Sequence, residues 1–233
     1  LLSIKDLDLS DQLPNLIEAG ITSFKIEGRL KDIVYVKNNT SFLRKKLDAF
    51  LENNESFQKA SSGRTFYNFE PEMDRSFNRG YTDYFVNQRK EKIGNWESPK
   101  SQGQYIGEIT EIKANGYVIE NHDKLNNGDG LFFINEEGIA DGVQINIIVN
   151  DIVVPNTFKN IAVGTVIYRN SDAEFNRIVE KENAAVRKIG VSLRFSETEE
   201  GFQLTVVDED GHRSVSNLVT EKELAKSEES VIP

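Results

Sequence analysis

Lys25, Glu27 and Arg29 stand at alternate positions in the stretch SFKIEGRLKD, residues 23–32, interleaved with Phe24, Ile26 and Leu30. In an extended chain alternate side chains share a face. Two cations and a carboxylate on one face can hold a phosphate or carboxylate, with Glu27 orienting the cations. Gly28 frees the backbone to turn or to approach a ligand. Parallel α/β folds bind ligands at the carboxyl ends of their strands, so a strand ending here would carry the three residues to a binding mouth. The plainer alternative is a strand whose charges form a solvated face. Arg64 in SSGRT and Arg79 in FNRGYTDYF, each beside a glycine, are further candidates for holding an anion. Arg79 has the alternative of a buried salt bridge to a helix end. Tyr81 and Tyr84 suit base stacking or packing between domains, and Trp96 suits an interdomain anchor.

Other chemistry is narrowed by what the sequence lacks. It has no cysteine, which excludes disulfides and thiolate metal sites within these 233 residues. His122 and His212 lie far apart in turn-like contexts, so neither a zinc site nor a serine–histidine pair is expected. NNGDG, around Asp129, has too few acidic ligands for a calcium loop and reads as a hairpin turn. No apolar run reaches the length of a membrane span, and the first residues do not form a signal peptide, so a cytoplasmic protein without membrane contact is expected. The sequence starts without Met and in mid-pattern, as a fragment of a longer chain would.

The net charge of −10 is unevenly distributed. Residues 1–100 hold 16 Lys and Arg against 15 Asp and Glu, whereas residues 101–233 hold 12 against 23. An acidic surface is a poor non-specific ligand for nucleic acid. The basic runs LRKK and NQRKEK, in the neutral part, offer the only cationic face.

These residues need elements to position them. LSDQLPNLIEAG has helical spacing, with Ser10 or Asp11 as cap, Pro14 in the first turn and Gly20 as stop. ITSFKIEG alternates like a strand, and DIVYVKNNTSFLRKKLDAFLEN is a second amphipathic helix. Helix–strand–helix over residues 1–55 implies the last piece of a larger α/β domain with a parallel sheet, whose earlier strands lie outside this chain. Residues 56–100 are too aromatic for a disordered linker and are expected as an ordered connecting segment. Residues 101–170 carry short strands between Gly, Asn and Asp turns, as in a small antiparallel β-barrel. Residues 171–189 read as a linking helix capped by Ser171 or Asp172. Residues 190–233 begin a further β-containing region with a hairpin through DEDGH and a polar tail. The expected class is α+β. A lone strand with open edges is a hazard that dimerisation would relieve, so a homodimer is one expected partner state.

Together, SIKDL, LPNLIEAGITSFKIEGRLKDIVYV, ASSGRT, SFNRGYTDYFVNQRKEKIGNWESPK and LNNGDGLFF resemble the U32 peptidase family, collagenase-like proteases. They are most similar to its long-form branch, which includes ribosomal-RNA cytidine hydroxylases. The likeness covers residues 1–135 and weakens beyond 190. It implies a parent that modifies RNA, with ribosomal RNA as partner, and that residues 1–55 are the C-terminal remnant of an α/β barrel, which the KIEGR segment closes. The alternatives are a peptidase, as the family name says, and a non-catalytic structural or recognition module. The family's RNA-hydroxylating members hold an iron–sulfur cluster on four cysteines. This chain has none, and Asp8 stands where relatives carry a cysteine after KDL. The resemblance therefore implies a cluster only in the longer protein, and a fragment inactive by itself.

Overall fold

The structure, a computed structural model, describes residues 3–89, 92–121 and 123–222. His122 and the polar tail from residue 223 onward, both discussed above, lie outside the described residues. The chain divides into two compact units, residues 1–57 with 67–185, and residues 58–66 with 186–233.

The first unit opens on an extended stretch, β1 (Ser3–Ile4) and β2 (Asp6–Leu7), followed by α1 (Leu13–Glu18) and α2 (Ile33–Glu52). Both expected helices form, but the expected cap at Ser10 or Asp11 does not: a 3-10 turn over residues 10–12 precedes α1, whose N-cap Gln12 makes no side-chain capping bond. Pro14 sits in the first turn of α1, where its missing N–H costs nothing. Gly20, at φ 95°, takes the left-handed conformation that stops the chain after it. Asp32 caps α2 by accepting from the Tyr35 amide at 2.8 Å.

Between the helices the expected strand does not form. Residues 21–28 carry no regular secondary structure, and no strand among the described residues pairs with them. A strand is made by its neighbour's ladder, so alternation alone cannot create one. Residues 21–27 are exposed.

Two further short strands flank the opening stretch: β4 (Tyr81–Thr82) runs parallel to β2, and β5 (Gly94–Asn95) antiparallel to β1. The strand before them in sequence, β3 (Arg64–Tyr67), begins in the second unit. Asn38 and Asn39 of α2 are buried, and they fasten the segment of residues 67–103. Asn38 donates to the Glu72 carbonyl at 2.6 Å and accepts from the Glu72 amide at 3.0 Å, while Ser76 bridges both asparagines.

A closed antiparallel barrel follows: β6 (Gln104–Lys113), β7 (Gly116–Asn121), β8 (Gly130–Ile134), β9 (Ala140–Val149), β10 (Ile152–Pro155) and β11 (Val166–Ser171), in the order β10-β7-β6-β11-β8-β9. Its core is filled by Ile106, Ile109, Tyr117, Leu131, Phe133, Ile145, Val153 and Ile167. Closure leaves no unpaired edge. β10 leaves β9 through Asn150 and Asp151, both at positive φ. NNGDG is not a hairpin turn. It joins β7 to β8, which are not neighbours in the barrel.

The linking helix is shorter than expected. α3 (Ala173–Val179) is capped by Asp172 and ends before a 3-10 turn at residues 182–184. It lies on α2, where Val34 packs with Phe175 and Val179, and Lys37 donates to the Val179 and Lys181 carbonyls at 2.9 and 2.7 Å. A lysine there satisfies carbonyls that the helix end leaves open.

In the second unit β12 (Ala185–Lys188) pairs with β3. β13 (Val191–Thr198), β14 (Gly201–Asp208) and β15 (Arg213–Val219) form a three-stranded meander. The expected hairpin through DEDGH is its β14–β15 turn, with Gly211 at φ 85°.

Candidate functional site

The start of α2, the turn before it, β2 and residues 77–81 meet around one ring, that of Phe77. Lys31 Nζ lies 2.9 Å from the Phe77 ring centroid and 5.7 Å from that of Tyr35. The Arg79 guanidinium lies 5.9 Å from the same Phe77 ring. Two cations thus share one aromatic ring, a partner whose quadrupole favours positive charge. Asp6 is their counter-charge. It accepts from the Arg79 amide at 2.8 Å, from Nε at 3.3 Å and from Nη2 at 2.7 Å. The guanidinium is thereby fixed, and its Nη1 hydrogens remain for another acceptor. Asp6, Arg79 and Lys31 together keep one net positive charge.

Burial and neighbours tune these groups. Desolvation pushes the Lys31 ammonium below the ordinary lysine range, and Arg79 adds to that while Asp6 opposes it. The hydrogen bond to Asp6 raises Arg79 further. Burial pushes the Tyr81 phenol well above its usual range, helped by Asp74 and Asp8, and its hydroxyl donates to the Met73 carbonyl at 2.8 Å. Tyr81 is therefore a fixed wall of the site. Tyr35 donates to the Glu27 carbonyl at 3.2 Å, tying KIEGR to α2. The turn that follows puts Leu30 at φ 62° and leaves it 95% exposed.

The five residues singled out by sequence are distributed as follows. Arg79 lies in this site. Lys25 and Glu27 pair with each other at 2.7 Å on the exposed loop. Arg29 is exposed and has no ion-pair partner among the described residues. Arg64 belongs to the second unit, where it lines a cleft with Lys59, Ser61, Ser62, Glu209 and Asp210. Lys31 was missed, although its place directly before the cap Asp32 was the available signal.

A second charged cluster anchors the same segment to the barrel. Arg169 of β11 is buried and donates to Asp123, to the Lys124 carbonyl at 2.8 Å and to Gln104 at 2.5 Å, with Asp172 at 3.1 Å. Arg75 reaches Asp123 at 3.3 Å and lies over the Phe175 ring at 5.2 Å. Burial pushes the Asp123 carboxyl up, but Arg169, the Lys124 amide and Arg75 outweigh it and hold the group below its ordinary range.

An iron–sulfur cluster does not fit the residues present: the sequence offers no thiolate, and the Asp8 carboxylate accepts from the Ser10 amide at 2.8 Å.

The sequence profile of Peptidase family U32 matches residues 1–96. Named relatives make the kinship more particular. The chain is 36% identical over 220 residues to the 23S rRNA 5-hydroxycytidine synthase of Escherichia coli (strain K12), a match covering 91% of this chain and 33% of that protein. It is 48% identical over 56 residues to the tRNA hydroxylation protein P1 of Bacillus subtilis (strain 168), covering 24% of this chain and 13% of that one. It is 30% identical over 159 residues to an uncharacterized protease of Methanocaldococcus jannaschii, covering 63% and 37%. The matches thus span between 13% and 37% of the length of these relatives. No solved structure matches it. No helix among the described residues is long and apolar enough to cross a membrane.

Proposed function

We propose that this chain is part of a cytoplasmic RNA-hydroxylating protein, and that its first unit supplies an anion-holding edge for ribosomal RNA. The observation that carries this reading is the 36% identity, over 91% of the chain, to a protein named as a 23S rRNA 5-hydroxycytidine synthase. The site chemistry agrees. Arg79, pinned by Asp6, presents a fixed guanidinium edge, and the half-desolvated Lys31 presents a point charge beside it. That pair suits a backbone phosphate. Arg29 and the Lys25–Glu27 pair stand on the loop before it, where they would meet the same ligand. Arg64, in its own cleft, is a separate anion contact.

The same proposal gives α1, residues 21–28 and α2 the role of closing an α/β barrel begun elsewhere in the longer protein. Ile21, Phe24, Ile26, Leu30, Ile33 and Val36 are all exposed here, and a row of that size asks for a cover. Residues 21–28 would then become a strand on gaining a neighbour. Any iron–sulfur cluster would take its thiolates from other parts of the protein. A peptidase is the second reading, supported by the family name and the archaeal relative.

The test is mass spectrometry of ribosomal and transfer RNA from a strain lacking the whole gene. Loss of a hydroxylated cytidine, restored by the gene but not by its Arg29→Ala form, is expected. Unchanged RNA would turn the assignment toward the peptidase.

A further inference from the structure

Residues 76–100 leave three large rings in solvent. Trp96, the one tryptophan in the sequence, is 72% exposed, Tyr84 is 48% exposed and Phe85 is 39% exposed. All three are held in place. The Trp96 indole lies over Gly94, 3.1 Å from where a Cβ would stand, and Gly94 is opposite Ile4 in the β1–β5 pair. Tyr84 takes φ 59°, unusual for a tyrosine, with its amide donating to Thr82 Oγ1 at 2.9 Å, and its ring lies 4.4 Å from that of Phe85. Residue 96 follows β5 at the Ser3 end of the opening stretch, and residue 84 follows β4 at the Asp8 end. About six extended residues, or roughly 20 Å, separate the two ends. Between them Arg79 holds Asp6, and its carbonyl accepts from Asn95 at 2.9 Å.

Charge chooses the partner. Residues 76–100 carry five Lys and Arg against three Asp and Glu in a chain whose net charge is −10. Exposed rings beside fixed cations match the needs of a single nucleic-acid strand, whose bases offer π faces and whose backbone offers phosphates. We propose that Trp96 and the Tyr84–Phe85 pair are stacking platforms for unpaired bases of an RNA strand whose phosphates pass Arg79 and Lys31. This rests on the RNA reading above and deepens it by assigning the rings that grip the strand.

A dye-labelled single-stranded oligoribonucleotide tests it with two readouts on one sample. Anisotropy of the dye reports binding of RNA in any mode, and Trp96 fluorescence reports stacking, with a duplex of equal length as control. The single strand should quench Trp96 strongly and the duplex weakly, and Trp96→Leu should raise Kd at least roughly fivefold. Binding seen by anisotropy without quenching, or with an unchanged Kd in Trp96→Leu, overturns the stacking role and leaves the RNA reading intact. Absence of binding by both readouts overturns the two together.

Discussion

Arg79 and Lys31 share a ring but differ in what they hold, and the difference predicts different variants. Arg79 spends its amide, Nε and Nη2 on Asp6, so Arg79→Met should lower thermal stability as well as RNA affinity. Lys31 makes no such fork. Lys31→Met should leave the melting temperature within a few degrees of wild type. It should also reduce the slope of log affinity against log salt by about one, the mark of one lost phosphate contact. Asp123 predicts a pH effect. Its carboxyl is lowered from 3.8 in the folded state, so its stabilising contribution is present above that value and fades as pH falls below it. The melting-temperature deficit of Asp123→Asn should be largest at pH 7 and shrink below about 3.8; a deficit constant with pH would contradict the ion-pair account. At this scale the sequence was half legible. Arg79 carried a local cue in its flanking glycine. The partners of Arg169 come from residues 104, 123, 124 and 172, a convergence that no local window contains.

At the scale of elements, two contacts decide whether residues 67–103 keep their course. Asn38 satisfies both the amide and the carbonyl of Glu72. Asn38→Ala should cost about 1–3 kcal/mol in urea denaturation, because buried backbone groups lose their partner. Gly103, at φ 79°, sits where a Cβ would stand 2.0 Å from the Arg169 carbonyl oxygen. Gly103→Ala should destabilise by more than about 1 kcal/mol, combining strain with backbone overlap. Turns and helix stops are the most legible features: Pro14, Gly20 and Gly211 act as their types require, because their effects are local, whereas the cap expected at Ser10 or Asp11 is displaced by a 3-10 turn. The turn into β10 is harder to see in sequence, because Asn150-Asp151 suits a strand end as well as the tight hairpin that its two left-handed residues make. The strand expected at residues 21–28 failed for the opposite reason, since alternation describes a strand's faces and only a neighbour supplies its hydrogen bonds.

For the whole molecule, the uneven charge and the closed barrel point to a division of labour. The part similar to Peptidase family U32 carries the cationic and aromatic residues, and the acidic remainder contains a barrel that is self-contained in its hydrogen bonding. If the exposed row from Ile21 to Val36 is covered in the longer protein, hydrogen exchange will report it. The amides of residues 22–28 should exchange at near-unprotected rates in this chain and at least a hundredfold more slowly in the longer polypeptide. Equal rates in both would remove the barrel-closing role. Composition made the barrel and its neighbours legible. The two-unit division was not, because residues 58–66 join a unit whose other strands come more than a hundred residues later.

The central claim is that the first unit holds RNA for hydroxylation through Lys31 and Arg79. The most direct test is to measure hydroxycytidine by mass spectrometry in a gene-deleted strain carrying either the wild-type gene or its Lys31→Met form at equal protein level. The account predicts that the wild type restores the modified nucleoside and Lys31→Met leaves it largely absent. Full restoration by Lys31→Met would contradict it.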